Sequence, residues 1–147
     1  MNRILLDTNA YARFLAGDEK VMQHLGAAEH VYMSVFVLGE LQAGFRAGQK
    51  GAENRGILER FLAKPTVAVL EATRETAEVF GMVKDSLRRA GRSIPINDVW
   101  IAAHAVETGS VLVTYDGHFK DVPGLRLWDW LLAGSASGRR DRRPRQR

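Results

Sequence analysis

Residues 98–119 read DVWIAAHAVETGSVLVTYDGHF. Between Val99 and Val106 this stretch is apolar on nearly every side of a helical period, which predicts a central, buried helix rather than an amphipathic one. Gly109 marks the end of that helix, and the run Val111–Val113 reads as a short strand. An acid, Asp116, stands just beyond the strand. A buried helix feeding an apolar strand is the repeating unit of a parallel sheet with helices on both faces. In such sheets function gathers at the carboxyl ends of the strands.

Working outward, the same alternation recurs. Strands are predicted at Arg3–Leu6, Val31–Met33, Thr66–Val69, Val111–Val113 and Leu125–Trp128. Helices are predicted at Ala10–Leu15, Lys20–Ala28, Val35–Ala47, Ala52–Leu62, Arg74–Ala90 and Asp98–Glu107. Ser34 is placed to cap the helix that starts at Val35. Gly91 follows the longest helix, whose last turn carries Arg88 and Arg89 at the negative end of the dipole. Pro95 opens a loop before Asn97. The fold class is therefore α/β, a three-layer α/β/α arrangement around a parallel sheet of about five strands, with right-handed crossovers.

Composition narrows the function classes. The 147 residues suffice for one domain with its own core. Cysteine is absent, which excludes disulfides and thiolate metal sites and suits a reducing compartment. Only Ile4-Leu5-Leu6 precedes Asp7, too little for a signal-peptide core, and no run approaches the roughly 20 apolar residues that span a bilayer. A soluble cytoplasmic protein with no membrane partner is expected. The net charge of +4 belongs to the end of the chain: RRDRRPRQR, Arg139–Arg147, holds six arginines and one aspartate. Residues 1–138 carry 15 basic and 16 acidic side chains, so the folded part is not a basic nucleic-acid glue. Residues 133–147 read as a disordered basic tail, able to attract phosphates or simply solvated.

Four acids stand out. Asp7, in RILLDTNAY (residues 3–11), ends the first strand, and Asp116 follows the fourth. Each has a local reading as a turn or cap residue. Glu40 lies on the flank of the stripe Val37, Leu38, Leu41 and Phe45, where a carboxylate is costly without a partner; Gly39 and Gly44 leave room beside it. Asp98 heads the most apolar helix, where it or Asn97 also serves as a cap. Four acids meeting in one cleft repel one another, so some take up protons unless a cation intervenes. Mg²⁺ suits such a set, using a few carboxylates and leaving positions for phosphate oxygens; Mn²⁺ accepts similar ligands. His24, His30, His104 and His118 show no zinc-ligand spacing. Metal-assisted phosphodiester hydrolysis fits these acids.

The motifs LLDTN, SVFVLGEL, INDVWIAAHA and VTYDGHF, in this order, resemble the PIN domain, and more specifically the VapC-type toxins of bacterial toxin–antitoxin pairs. The resemblance runs from Arg3 to about Trp130 and places the domain at residues 1–132. It implies a Mg²⁺- or Mn²⁺-dependent endoribonuclease with Asp7, Glu40, Asp98 and Asp116 as its acidic quartet. Thr8, Asn9, Thr114 and Asn97 would then orient carboxylates or water. Asp7 and Asp98 would be direct ligands, Asp116 would complete the site or hold a second metal, and Glu40 would orient the attacking water or take its proton. The resemblance also implies an RNA substrate, a VapB-type antitoxin as partner, and a homodimer. Lys84, Arg88, Arg89 and Arg92 are candidate phosphate contacts, with a solvated helix face as their bland reading. His104, Trp128 and Trp130 read as packing residues, and His118 as a turn residue. Rival classes are a metal-free RNA-binding scaffold, a haloacid-dehalogenase-like phosphatase and a phosphorylatable receiver domain. The last two want further acids near the first strand, where this chain has Asn9.

Overall fold

The computed structural model describes residues 2–129 and 131. The strands are β1 (Arg3–Leu6), β2 (His30–Ser34), β3 (Val67–Leu70), β4 (Val111–Val113) and β5 (Arg126–Leu127). They form one sheet, all neighbours parallel, in the order β3-β2-β1-β4-β5. Six helices flank it: α1 (Thr8–Leu15), α2 (Glu19–Ala27), α3 (Val35–Ala47), α4 (Gly51–Leu62), α5 (Arg74–Arg89) and α6 (Ile96–Thr108). The three-layer α/β/α expectation holds. The boundary expected at residue 132, the basic tail and Trp130 lie outside the described residues. Among the described residues no helix is long and apolar enough to cross a membrane.

The chain order explains where the site must lie. From β1 to β2 to β3 the chain steps along the sheet in one direction, then α5 and α6 carry it back past β1 to β4. The reversal leaves a crevice beyond the carboxyl ends of β1 and β4, the position where open parallel sheets bind ligands. Register fixes the two ends side by side: Leu6 is opposite Val113, and the Asp7 amide donates to the Val113 carbonyl at 3.3 Å.

The core sits around β1. Ile4, Leu5 and Leu6 are all buried, as are Val31, Met33, Leu112 and Val113 on neighbouring strands. Each such side chain contributes about 1.5–3 kcal/mol by leaving water. In α6, Val99 and Ile101–Ala105 are buried, as its all-round apolar pattern requires. Gly109 closes α6 at φ 64°, a left-handed value that an L side chain resists.

Two helices, α1 and α6, start two residues before the expected position. Helix α1 begins at Thr8 because Asp7 caps it, its Oδ1 accepting from the Ala10 amide at 2.8 Å. Helix α6 begins at Ile96 after Pro95, with no side-chain cap. Asn97 and Asp98 are therefore inside its first turn and cap nothing; Pro95 sets the helical entry itself. A short 3-10 helix, Gly117–Asp121, occupies a stretch expected as loop. It starts on the Asp116 side chain, whose Oδ1 accepts from the His118 amide at 2.9 Å.

Candidate metal centre

Each acid reaches the rim on a different element. Asp7 stands at the end of β1, Glu40 in the middle of α3, Asp98 in the first turn of α6 and Asp116 beyond β4. Helix α3 packs against both α1 and α6, which brings Glu40 between them. Asp7 is 5% exposed, so its carboxylate is nearly out of water. Burial, together with the charges of Asp116 and Glu40, pushes its pKa up to about 6. Hydrogen bonds from Thr114 and from the Ala10 amide oppose that rise. Asp98 is also pushed up to about 6, first by burial and then by the charges of Asp116, Glu40 and Asp7. The four carboxylates thus feel one another.

Two threonines brace the acids, and they do so crosswise. The Thr114 hydroxyl donates to Asp7 Oδ2, and its oxygen accepts from the Asp116 amide at 2.9 Å. The Thr8 hydroxyl donates to Glu40 Oε2 at 3.1 Å. Each threonine therefore steadies a carboxylate carried by another element. Thr114 is itself held from the end of the sheet, since the Trp128 indole donates to the Thr114 carbonyl at 2.5 Å. Trp128 is buried and acts in packing, as expected.

A cation fits this donor set. Asp98, Asp116 and His118 each offer a ligand atom, all within 4.8 Å of one another. His118 Nδ1 lies 3.1 Å from Asp116 Oδ1. Buried Asp7 and half-buried Asp98 feel like charges, with no lysine or arginine and only His118 acting against the rise at Asp98. A hard divalent ion would balance the remaining negative charge.

The sequence matches a known pattern over most of its length: the PIN domain profile covers residues 4–125. The chain belongs to the PIN-domain family. Among curated proteins this PIN domain is similar to ribonuclease VapC2 of Rickettsia felis, 31% identical over 101 residues that cover 68% of this chain and 74% of the relative. Ribonuclease VapC1 of Haemophilus influenzae is 28% identical over 131 residues, 86% of this chain and 96% of the relative. Among solved structures, VapBC2 from Rickettsia felis bound to a promoter DNA fragment superposes with TM-score 0.76 at 26% identity, covering 86% of this chain and 97% of that one. DNA-bound VapBC from Salmonella typhimurium gives TM-score 0.78 at 27% identity, covering 88% and 99%.

In this PIN domain the other expected residues divide. Asn9 and Asn97 are exposed; Asn9 faces a cavity beside Asp116. Gly39 and Gly44 face open space, with nothing within 4 Å of an added Cβ, so no close neighbour demands either. His104 is buried and satisfied, Nδ1 at 2.8 Å from Ser34 Oγ and Nε2 at 3.1 Å from the Glu71 carbonyl. Arg88 and Arg89 both close on Asp85, at 2.5 and 2.9 Å. Arg92 lies 4.0 Å from Asp121. Lys84, Arg88 and Arg92 border a groove of about 440 Å³ beside α5.

His118, expected in a turn, does sit in one. The 3-10 helix also swings its ring onto Asp116. The Asp-x-His spacing is the available signal, but it carries meaning only once a one-turn helix is known to come after the acid. Arg13 and Tyr115, which stack beside the cluster, leave no signal in the sequence, because their meeting depends on how α1 packs against the loop after β4.

Proposed function

We propose that this PIN domain is a divalent-cation-dependent endoribonuclease, the toxin of a toxin–antitoxin pair. The observation that carries the reading is the convergence of Asp7, Glu40, Asp98 and Asp116 on one rim, with Asp7 and Asp98 both held up to about 6. A cation among these acids would relieve the burial and mutual repulsion that hold Asp7 and Asp98 up. Mg²⁺ is the first choice and Mn²⁺ the second, since carboxylate oxygens dominate the donors. When bound, either ion lowers the pKa of the attacking water and shields charge developing on the phosphodiester.

The chain's own residues do the rest. Asp7, Asp98 and Asp116 would hold the ion, with His118 beside Asp116 as a further candidate ligand. Glu40, fixed by Thr8, orients the attacking water or takes its proton. Thr114 keeps Asp7 in place. In-line attack leaves 5′-phosphate and 3′-hydroxyl ends. The ribonuclease names of its relatives support RNA as substrate, and single-stranded or looped RNA offers the splayed bases that a selective endonuclease reads. The VapBC complexes among its structural neighbours support an antitoxin partner. A homodimer, a cytoplasmic location and a division at residue 132 into domain and basic tail complete the reading.

Incubation with total cellular RNA tests it, with ends mapped, in Mg²⁺, in Mn²⁺ and in EDTA, beside an Asp7→Asn control. Discrete cuts with 5′-phosphate ends that vanish in EDTA and in the variant are expected. Equal cutting by a clean Asp7→Asn preparation would overturn the assignment. RNA binding without cleavage in either metal would favour a scaffold role.

A further inference from the structure

A cavity of about 480 Å³ opens directly beside the acids, lined by Asn9, Ala12, Arg13, Ala16, Tyr115 and Asp116. It is an open depression, walled largely by exposed side chains. It shares Asp116 with the acidic cluster, so whatever occupies it abuts the reacting phosphodiester. Ala12 in α1 and Ala16 at its C-terminal cap leave the space.

The side of the cavity is a prepared stack. The Arg13 guanidinium lies 4.0 Å from the centre of the Tyr115 ring. Tyr115 is pinned from two directions. Its hydroxyl donates to Asp18 Oδ2 at 2.6 Å, and its ring meets Trp128 edge-on at 5.2 Å and 88°. Asp18 is in turn fixed as the cap of α2, accepting from the Lys20 and Val21 amides. Arg13 itself is exposed, and its charge acts on Asp18 as well as on Tyr115. A flat cation backed by an aromatic ring offers a second flat face, which is how proteins hold an unstacked RNA base. A phosphate suits the cavity less well, because the Asp116 carboxylate stands at its edge and repels it. Asn9, one helical turn from Arg13, adds an amide with both donor and acceptor for a base edge.

We propose that this cavity seats the nucleobase next to the cleaved phosphodiester, stacked on Arg13 and Tyr115 and read by Asn9. The proposal rests on the ribonuclease reading above and gives it a base-selecting subsite. Arg13 and Tyr115 are specificity residues here, since neither touches the reacting atoms.

The test compares wild type with Arg13→Ala, Arg13→Lys, Tyr115→Ala and Tyr115→Phe. One arm measures binding of a fluorescein-labelled single-stranded RNA of mixed sequence in EDTA by anisotropy. The other measures kcat, KM and the base preference beside the cut in Mg²⁺. Arg13→Ala is expected to weaken binding and raise KM about tenfold, the usual scale for one stacked base. Its kcat should stay within about threefold, and its base preference should flatten. Arg13→Lys should behave like Arg13→Ala, because lysine restores charge without the planar face. Tyr115→Phe, which keeps the ring, should retain the preference that Tyr115→Ala loses. Wild-type KM and an unchanged base preference in Arg13→Ala would overturn the proposal, and so would full rescue by Arg13→Lys. The binding arm needs no cleavage. A chain that binds RNA with this pattern of variants yet cuts none would sink the nuclease reading and leave the subsite standing.

Discussion

The two oxygens of Asp7 have different neighbours: Oδ1 accepts the Ala10 amide at 2.8 Å, and Oδ2 accepts the Thr114 hydroxyl. One carboxylate therefore caps α1, as its local reading expects, and also stands on the rim with the other acids. The same holds at Asp116, which starts the 3-10 helix. Thr114→Val tests how much the brace matters. The substitution removes the bond that lowers the Asp7 pKa and strips the Asp116 amide of its acceptor. Cleavage should fall about 10- to 100-fold, the usual loss when a ligand's supporting partner is removed. The acid limb of its pH profile should also move to higher pH. A rate loss with an unmoved limb would argue for fold damage instead. In the wild type, Asp7 and Asp98 both titrate near pH 6 as a coupled set. Log rate should therefore fall with a slope above about one below that pH. Raising the Mg²⁺ concentration should push the limb to lower pH, because the cation competes with the protons.

At the scale of elements, the alternation of strand and helix is legible because apolar runs and periodic segments differ in length and pattern. β1 and β4 fall at Arg3–Leu6 and Val111–Val113, where their apolar runs predict them, and Ser34 caps α3 through its hydroxyl. Pattern alone does not give the helix entry at Pro95 or the one-turn helix after Asp116. Both are set by backbone geometry, where hydrophobic periodicity is silent. The corner between α3 and α4 is another such place. A Cβ at Gly51 would come 2.4 Å from the Phe45 carbonyl oxygen, so the turn depends on a bare backbone there. Gly51→Ala should destabilise the domain by about 1–3 kcal/mol as the corner is forced apart, read as a lowered midpoint in urea. An unchanged midpoint would mean that the corner yields freely. Gly44→Ala, facing open space, should instead be neutral or mildly stabilising through helix propensity.

For the whole molecule, three separate parts of the chain place four acids on one rim, and the strand order sets β1 beside β4. The sequence motifs point to the acids, but no single motif says that β4 lies beside β1. That juxtaposition comes from the reversal of the chain after β3. It has a thermodynamic consequence. Asp7 and Asp98 have folded-state pKa values of about 6, above the ordinary carboxylate value of 3.8. Their contribution to stability is therefore fully present below about pH 4 and lost as pH rises through about 6. Holding Asp7 ionised above that pH costs on the order of 1–3 kcal/mol. A cation at the rim offsets that cost, and so does removing the charge. The most direct measurement is the thermal midpoint of wild type and Asp7→Asn at pH 7.5 and pH 5, with EDTA and with Mn²⁺. In EDTA at pH 7.5, Asp7→Asn should melt a few degrees above wild type. Mn²⁺ should raise the wild-type midpoint at pH 7.5, raise it far less at pH 5, and leave Asp7→Asn nearly unmoved. A wild-type midpoint indifferent to Mn²⁺, or an equal rise in Asp7→Asn, would contradict the claim that these acids form one cation site.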